Sequence, residues 1–338
     1  MKISSSHSKA FSLVELSIVI LIIGVLIAAV SQGLDLLADY RITTAQKLTK
    51  TSRVSSINGL VLWYETSLDE SFSTADETEG AVVAQWNDVN PQASIKLNAK
   101  AGQKTDSAQI TYNVAAGGTS GNTSGPTYIE NGINRLPTLR FTNNGATAYR
   151  YLVVDQRMQN TPNDSMTLFL VMRYRSGAGF FVDRVYNNAG VPINDPATTP
   201  FAGLPLFEFY VASDGSLSPY IRSNSISFPG IGGDGWDSGY NLSPGRDYVL
   251  TLQRDYGRNF TLYVNGNSTY PGGVPSKVDD GMAISLDPFK IGRHAKEDGE
   301  NTDFDMSEFI FFSGPMRVNS RKEIEDYLGK KYNIAITH

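Results

Sequence analysis

The feature that most constrains this chain is a long apolar stretch close to its amino terminus. Residues 9–30 read KAFSLVELSIVILIIGVLIAAV, a short basic leader followed by an apolar run. From Leu16 to Val30 the one polar side chain is Ser17, and a single acid, Glu15, stands at the start of the run. A carboxylate at the centre of a membrane helix costs about 2.5–3.5 kcal/mol on insertion scales, so we expect Glu15 to have a partner and a function.

Two simpler interpretations leave Glu15 unexplained. A secretory signal peptide has its small-residue cleavage site after the apolar segment, and Ala28 and Ala29 are the residues that could form one. A plain membrane anchor is the other alternative, although the run is slightly short for it. Neither interpretation requires an acid at position 15.

The segment Lys9 to Leu16, KAFSLVEL, resembles the amino terminus of type IV prepilins and type II secretion pseudopilins. In that family a prepilin peptidase cuts on the cytoplasmic side of the membrane and methylates the new amino terminus. The resemblance implies a leader of residues 1–10, a cut after Ala10 and methylation of Phe11. The family usually has Gly before the cut, so Ala10 is a tolerated departure that we expect to slow processing.

The resemblance also implies a partner for Glu15 in filament assembly. In a helical filament the amine of Phe11 in one subunit would lie beside Glu15 of its neighbour. Opposite charges in a setting of low dielectric attract strongly and offset part of the cost of burying each other.

Composition restricts the functions open to the rest of the chain. Its 338 residues are 41% hydrophobic and 19% charged, which suits a folded protein with a large core. The formal net charge is −5, and loss of Lys2 and Lys9 with the leader makes it −7. A nucleic-acid partner is therefore not expected, because such surfaces carry clustered positive charge.

The chain has no cysteine and three histidines, which narrows the chemistry further. A disulfide framework, a thiol nucleophile and cysteine-ligated metal are excluded. His7 leaves with the leader and His338 is terminal, so a multi-histidine metal centre is not expected and a Ser-His-Asp triad would need His294. Many pilins close a loop with a disulfide, and this chain departs from that pattern.

Periodicity divides the chain into a helical and a β part. Apolar residues recur at helical spacing over 11–57, and Asn58-Gly59 is a suitable stop, so we expect one helix over residues 11–58. Short strands separated by Gly, Pro, Asn, Asp and Ser follow, which is typical of a β-sandwich or jelly roll. The expected strands are Leu60–Tyr64, Leu139–Phe141, Thr167–Tyr174, Gly179–Asp183, Leu206–Val211, Tyr248–Gln253, Asn259–Val264, Phe289–Ile291 and Met306–Phe312.

Turn and helix signals complete this outline. Asp214-Gly215 and Asn265-Gly266 favour hairpin turns. Near the carboxyl end, apolar residues recur at Ile324, Tyr327, Leu328 and Tyr332, which predicts a helix with Asn319-Ser320 at its N-cap.

A second resemblance covers residues 59–336. The ordered segments resemble concanavalin A-like, laminin-G-like bacterial domains, which implies two packed antiparallel sheets but no particular ligand. The segments are LVLWY (60–64), QWND (85–88), LPTLRF (136–141), SMTLFLV (165–171), LYVNG (262–266), IGR (291–293), SEFIFF (307–312) and IEDYLGKKY (324–332).

The residue types in the β part raise four possibilities: a dinucleotide site, a calcium site, a glycoside hydrolase site and a tryptophan that stacks on a sugar. GIGGDG at 230–235 matches G-x-G-x-x-G but has loop chemistry on both sides rather than a strand and a helix, so no dinucleotide site is expected. Glu300, Asp303 and Asp305 offer oxygen ligands for calcium, against the alternative of a solvated acidic loop. Otherwise no cofactor is expected.

Glycoside hydrolysis requires two carboxylates across a cleft, and no Glu-x-Asp-x-x-Glu strand is present. We therefore expect the chain not to be an enzyme. Of the three tryptophans, Trp63 and Trp86 are expected in the core, and Trp236, in a Gly-rich loop, is the candidate for stacking on a sugar.

The sequence as a whole predicts a long N-terminal α-helix, a mainly-β jelly-roll sandwich of the concanavalin A-like type over residues 59–338, and a short C-terminal helix. The expected function is a minor type IV pilin that displays the sandwich for adhesion or surface recognition. Its expected partners are prepilin peptidase, other pilin subunits, the inner membrane before assembly and a glycan or surface ligand. The alternatives are a type II secretion pseudopilin and a membrane-tethered carbohydrate-active enzyme.

The Glu15→Ala variant should still insert into the membrane and be cleaved, but it should enter filaments poorly because the Phe11 amine loses its partner. Immunoblots of membrane and sheared-filament fractions measure both steps. Normal incorporation of this variant would contradict the assembly role of Glu15.

The Trp236→Ala variant should fold normally and reduce adhesion to glycans, since it removes the expected stacking surface. Binding of cells to immobilised glycans, with thermal unfolding as the control for folding, tests this. Unchanged adhesion removes Trp236 from the site.

Overall fold

The computed structural model describes residues 12–101, 125–142, 150–154, 165–185, 205–221, 238–255, 259–269, 277–278, 289–292 and 301–338. The chain divides between Thr44 and Ala45 into two units. The predicted combination of an apolar helix, a mainly-β sandwich and a short terminal helix is confirmed in the described residues.

The first unit consists of most of helix α1, which spans Leu13–Thr51. Its window Leu13–Val30 comprises 18 residues with a mean hydropathy of 3.0, which are the length and composition of a membrane span. None of this window is buried within the protein. Regular helix ends at Thr51, seven residues before the predicted end at residue 58, and a 3₁₀ turn at Val54–Ser56 follows. Gly59 then adopts a φ of +89°, where an added Cβ would lie 2.2 Å from the carbonyl oxygen of Ser313.

The second unit is an antiparallel sandwich closed by helix α2, Val318–Tyr332. Its strands are β1 Leu60–Glu65, β2 Gln85–Trp86, β3 Ala99–Ala101, β4 Thr127–Ile129, β5 Thr138–Phe141, β6 Leu152–Val154, β7 Met166–Val185, β8 Pro205–Val211, β9 Leu217–Ile221, β10 Asp247–Arg254, β11 Asn259–Val264, β12 Asn267–Ser268, β13 Lys277–Val278, β14 Phe289–Ile291 and β15 Asn301–Ser313. A second 3₁₀ turn spans Ile133–Arg135.

One sheet is built around the pairing of β7 with β15. The first half of β7 continues through β10 and β11 to the short strands β12 and β13, and β15 pairs on its other edge with β1 and β5, the latter followed by β4. The second sheet uses the other half of β7, with β8 and β9 on one side and β14, β6, β3 and β2 on the other.

Strand β7 therefore belongs to both sheets, which corrects the prediction of separate strands at 167–174 and 179–183. Gly177 and Gly179, with φ of +83° and +157°, lie where the strand passes from one sheet to the other. Glycine adopts these angles without strain, so the backbone bends while its pairing with β15 and then β8 continues. The glycines were expected to separate two strands, but they allow one strand to pass from the first sheet into the second.

The core lies between the inner faces of the two sheets. Phe304 of β15 stacks on Phe141 of β5 with ring centroids 4.6 Å apart, and meets Phe181 of β7 edge to face at 5.0 Å. Trp63 and Trp86 are 3% and 0% exposed, which confirms the expectation that both are core residues. Burying an aromatic side chain of this size is a major contribution to stability in a chain without disulfides.

The turn predictions are also confirmed. Asn265 and Gly266, with φ of +52° and +84°, join β11 to β12, as the two-residue hairpin turn requires. Gly215, at φ +85°, lies in the β8–β9 hairpin. Helix α2 instead begins two residues earlier than expected: Arg317 occupies the N-cap without a side-chain hydrogen bond, so the prediction of Asn319-Ser320 as the cap is wrong.

Candidate functional site

The first candidate site is the start of helix α1, where Ser12 and Glu15 form a capping box. The backbone N–H of Ser12 donates to Glu15 Oε2 at 2.8 Å, and the N–H of Val14 donates to Ser12 Oγ at 3.3 Å. The carbonyl of Ser12 accepts the first helical hydrogen bond from Leu16 at 3.1 Å. This S-x-x-E arrangement satisfies backbone donors that a helix start otherwise leaves unpaired.

The capping box gives Glu15 a role inside its own subunit in addition to the predicted assembly role. The sequence signal was present as Ser12 followed three residues later by Glu15. Ala10 and Phe11, the predicted cleavage and methylation residues, lie outside the described residues, so their roles stay predictions.

The second candidate site is a buried ionic cluster where β1, β15 and α2 meet. Lys331 Nζ donates to Glu65 Oε2 at 2.8 Å and to Glu308 Oε2 at 2.9 Å, and all three side chains have no exposed surface. Buried charges are tolerated only when they are paired and hydrogen-bonded. These three charges meet both conditions, as the remaining contacts of each carboxylate show.

Each carboxylate of the cluster is saturated by additional donors. Glu65 accepts from the N–H and Oγ of Ser67, the N–H of Leu68 and the Oγ of Ser71, at 2.6–2.9 Å. Glu308 accepts from Trp63 Nε1, Tyr327 Oη and Tyr332 Oη, at 2.7–2.9 Å.

The pKa values of the two carboxyl groups shift in opposite directions. Burial raises the pKa of Glu65, but the Lys331 charge and the hydrogen bonds from Lys331, Ser67 and Ser71 outweigh it, so this pKa lies below its ordinary value. Burial raises the pKa of Glu308, and Lys331 only partly offsets that effect. Burial lowers the pKa of Lys331, but the two carboxylates outweigh it and the net shift is upward.

The cluster also holds the end of helix α1 against the sandwich within the second unit. Thr49 Oγ1 lies 3.2 Å from Tyr327 Oη, which donates to Glu308. Gln46 Nε2 donates to the carbonyl of Ser67 at 2.9 Å, beside the residues that bind Glu65. The last two turns of the helix are therefore joined to the same hydrogen-bond network as β1 and α2.

The third candidate site is a row of alternating charges across four strands. Cross-strand register places Arg140 of β5, Asp305 of β15, Arg173 of β7 and Asp247 of β10 side by side. Arg140 binds Asp305 through Nε and Nη2 at 2.8 and 3.0 Å, and Arg173 binds Asp247 in the same way at 2.6 and 3.0 Å. Bidentate pairs between arginine and a carboxylate are stronger and more specific in geometry than single hydrogen bonds between neutral groups.

This row, which we name the arginine row, bears on the predicted calcium ligands. Asp305 is fully buried, and its carboxylate contacts Arg140 and, at 3.5 Å, Arg175. Asp303 accepts a hydrogen bond from Ser176 Oγ at 3.4 Å, and Glu300 lies outside the described residues. A calcium ion would have to displace two guanidinium groups from Asp305, which weighs against that ligand; calcium at this place stays a prediction.

Over the described parts of the chain, no group of three or more His, Cys, Asp or Glu side chains is placed to hold a metal. Trp236, His294 and the Gly-rich segment 230–235 lie outside the described residues, so the sugar-stacking role of Trp236 also stays a prediction.

Sequence reasoning missed the ionic cluster and the arginine row. The available signals were charged residues inside apolar strands, namely Glu65 at the end of LVLWYE and Glu308 within MSEFIFF. A charge at such a position has to be paired, but its partner lies far away in sequence: Lys331 is 266 residues from Glu65.

Comparison with known proteins supports the assignment of the amino terminus. Residues 5–31 match the prokaryotic N-terminal methylation motif. A comparison of the whole sequence with curated proteins gives no significant match. The motif and the exposed apolar helix support a protein of the pilin or pseudopilin type that carries a β-sandwich.

Solved structures share the general fold at low similarity. A Trypanosoma rangeli sialidase in complex with sialic acid is 12% identical with a TM-score of 0.46, over 83% of this chain and 34% of that one. The botulinum neurotoxin serotype D binding domain is 11% identical with a TM-score of 0.45, over 82% of this chain and 53% of that one. The chain thus spans about a third to a half of these proteins, and likeness at this level carries no argument about function.

Replacing Lys331 by Met should destabilise the sandwich by about 3–5 kcal/mol, because it leaves two buried carboxylates facing each other without a cation. Thermal or denaturant unfolding of the full chain in detergent measures the change. Lys330→Met is the matched control: Lys330 is the neighbouring residue on α2 and is exposed, so its loss should change stability by less than about 0.5 kcal/mol. Equal effects of the two substitutions would contradict the role of the cluster.

Proposed function

We propose that the chain is a minor type IV pilin whose helix α1 enters the filament and whose β-sandwich is displayed outside the cell for adhesion or surface recognition. The observation that carries this proposal is the wholly exposed apolar window Leu13–Val30, which contains one acid, Glu15, within the methylation motif. A soluble core helix is mostly buried in its own domain, whereas this one offers its entire apolar surface to another environment.

Two environments cover this surface in turn. The inner membrane holds the helix after insertion, with the leader of residues 1–10 in the cytoplasm and the sandwich on the other side. After prepilin peptidase has cut behind Ala10 and methylated Phe11, the helices of other pilin subunits replace the lipid. Apolar burial, worth about 25 cal/mol per Å² of apolar surface, favours the first step. In the second step the helix passes from one apolar environment to another, so helix packing and the pairing of Glu15 with the Phe11 amine favour the filament.

Within the filament, Glu15 binds the amine of Phe11 in a neighbouring subunit. At a separation of about 4 Å and an effective dielectric constant of about 20, two unit charges attract by about 4 kcal/mol. This attraction selects the register between subunits, which apolar contacts alone specify poorly. The capping box keeps the Glu15 carboxylate at the start of the helix, where it accepts a hydrogen bond from the N–H of Ser12.

The size of the second unit supports a minor rather than a major subunit. It runs from Ala45 to His338, far more chain than the helix that would pack into the filament. We infer that such a subunit is sparse or located at the tip, where its bulk does not obstruct packing. Surface recognition then rests on the sandwich, which supplies rigid strands and the loops between them.

The two alternatives are separated by different observations. A type II secretion pseudopilin would carry the same motif, and its location in the envelope rather than on filaments distinguishes it. A carbohydrate-active enzyme would need two carboxylates about 5–10 Å apart across an open cleft. In the part of the chain that the structure describes, Glu65 and Glu308 approach the same lysine but are sealed from solvent, which does not fit that role.

Two substitutions separate the assembly role of Glu15 from its capping role. Glu15→Gln keeps an oxygen that can accept from the N–H of Ser12 but removes the charge, so it should be cleaved normally and reach sheared filaments at about one-tenth of the wild-type level or less. Ser12→Ala removes the hydroxyl of the cap and keeps the charge. It should cost about 1 kcal/mol of helix stability and leave incorporation close to wild type.

Immunoblots of membrane and sheared-filament fractions, normalised to the cleaved chain, provide the measurement. If Glu15→Gln enters filaments normally and Ser12→Ala does not, the function of Glu15 is only to cap its own helix. That outcome would remove the charge pair between subunits from the proposal.

A further inference from the structure

The arginine row lies on the outer face of the β7–β15 sheet, beside the part that α2 covers. Two residues along β5 from Arg140, Thr138 is hydrogen-bonded to Ser307 of β15, and Tyr332 of α2 donates to the carbonyl of Ser307 at 3.3 Å. Residues two apart on a strand share a face, so Arg140 and its row continue this face beyond the helix. The helix thus leaves the row open to solvent.

The side chains of the row are partly exposed to solvent, except that of Asp305, so a ligand can reach the arginines. Asp305 has no exposed surface, whereas the side chains of Arg140, Arg173 and Asp247 are 27%, 24% and 25% exposed. The guanidinium groups are held by bidentate pairs and still reach solvent. Such groups are pre-organised, and a ligand that meets them does not have to order them.

A β-bulge adds a third arginine that the row does not need for its own pairing. Phe304 pairs with Tyr174 and Asp303 pairs with Ser176, which leaves Arg175 as the extra residue of β7. Its Nη1 lies 3.5 Å from Asp305 Oδ2, an oxygen already bound by Arg140, and its side chain is 38% exposed. Bulges often re-aim a side chain next to a functional site.

Arg140, Arg173 and Arg175 face the carboxylates of Asp305 and Asp247. Asp303 lies two residues from Asp305 on the same face of β15, where it accepts a hydrogen bond from Ser176 Oγ at 3.4 Å. The pairs Arg140–Asp305 and Arg173–Asp247 are complete without a further arginine. The fifth residue, Arg175, contacts Asp305 at 3.5 Å, which is too long for a good hydrogen bond. Its side chain is 38% exposed, so an anion from solution can reach its guanidinium group.

The chemistry of the row defines the class of ligand. A guanidinium fork fits a carboxylate bidentately, and neighbouring strands repeat at about 4.8 Å. Asp247 places a partly exposed acceptor among these donors, which suits hydroxyl groups as well as an anion. An acidic saccharide offers both, whereas a simple polyanion offers only negative charge.

We propose that the arginine row binds an acidic saccharide, with the carboxylate of the sugar on Arg175 and its hydroxyls along Arg173 and Asp247. The inference rests on the proposed display of the sandwich for surface recognition, and it names the class of ligand for that role. It is independent of the predicted stacking residue Trp236.

The test measures binding of oligogalacturonate and of a hyaluronan hexasaccharide to the purified full chain in detergent, by titration calorimetry. At least one of the two should bind, and the methyl ester of the bound sugar, which keeps the hydroxyls and loses the charge, should not. Arg175→Gln should weaken binding about tenfold or more, the usual effect of losing a charged hydrogen bond. Arg175→Lys, which keeps the charge and loses the fork, should give an intermediate affinity.

Arg53→Gln is the matched control. Arg53 is also an exposed arginine with one carboxylate contact at 3.5 Å, here to Glu323, and its removal should leave binding within twofold of wild type. Thermal unfolding of each variant checks folding. Absence of binding to both sugars, equal binding of the methyl ester, equal binding of polyacrylate, which has carboxylates but no hydroxyls, or equal losses in Arg175→Gln and Arg53→Gln would each overturn the inference.

The assay separates this inference from the proposed function. It uses purified protein, so a failure to bind acidic sugars leaves filament incorporation and surface display untouched. Absence of the chain from filaments and from the cell surface would refute the proposed function even if the purified chain binds the sugar.

Discussion

The salt bridges of Lys331 to Glu65 and Glu308 are the interaction on which the second unit depends. They join the first strand of the sandwich, its long central strand β15 and the helix that closes it. Through Tyr327 and Thr49 the same network reaches the last turns of α1. Taking three charges out of water is expensive, and saturation of each by several donors is what makes it tolerable. In a chain without cysteine, this cluster fixes α2 against the sheet.

Most of the architecture can be predicted from local sequence patterns. The predictions that were wrong have physical reasons. The apolar helix, the hairpin turns at Gly215 and Gly266, and the buried tryptophans depend on neighbouring residues and were predictable. Strand β7 was predicted as two strands because glycine in a strand signals a break, whereas here Gly177 and Gly179 let one strand pass between sheets. Short strands such as β2 and β12 carry too few residues to show a period.

The candidate sites were less predictable because their members are distant in sequence. Asp303 and Asp305 read as an acidic pair suited to calcium, but register sets Asp305 against Arg140 and Arg173 on neighbouring strands. A local sequence shows which residues share a strand, not which strands are paired. The Ser12–Glu15 capping box is the opposite case: it spans four residues, was readable from the sequence, and gives Glu15 a structural role that the family resemblance alone did not indicate.

We propose that α1 places this chain in a filament and that the sandwich faces outward. Immunogold microscopy of intact cells and of sheared filaments, with antibody raised against the sandwich, tests it most directly. We expect gold particles on filaments in both preparations, sparse along the shaft or gathered at the tip. Label confined to the cell envelope, with none on sheared filaments, would contradict the account and assign the chain to a secretion apparatus instead.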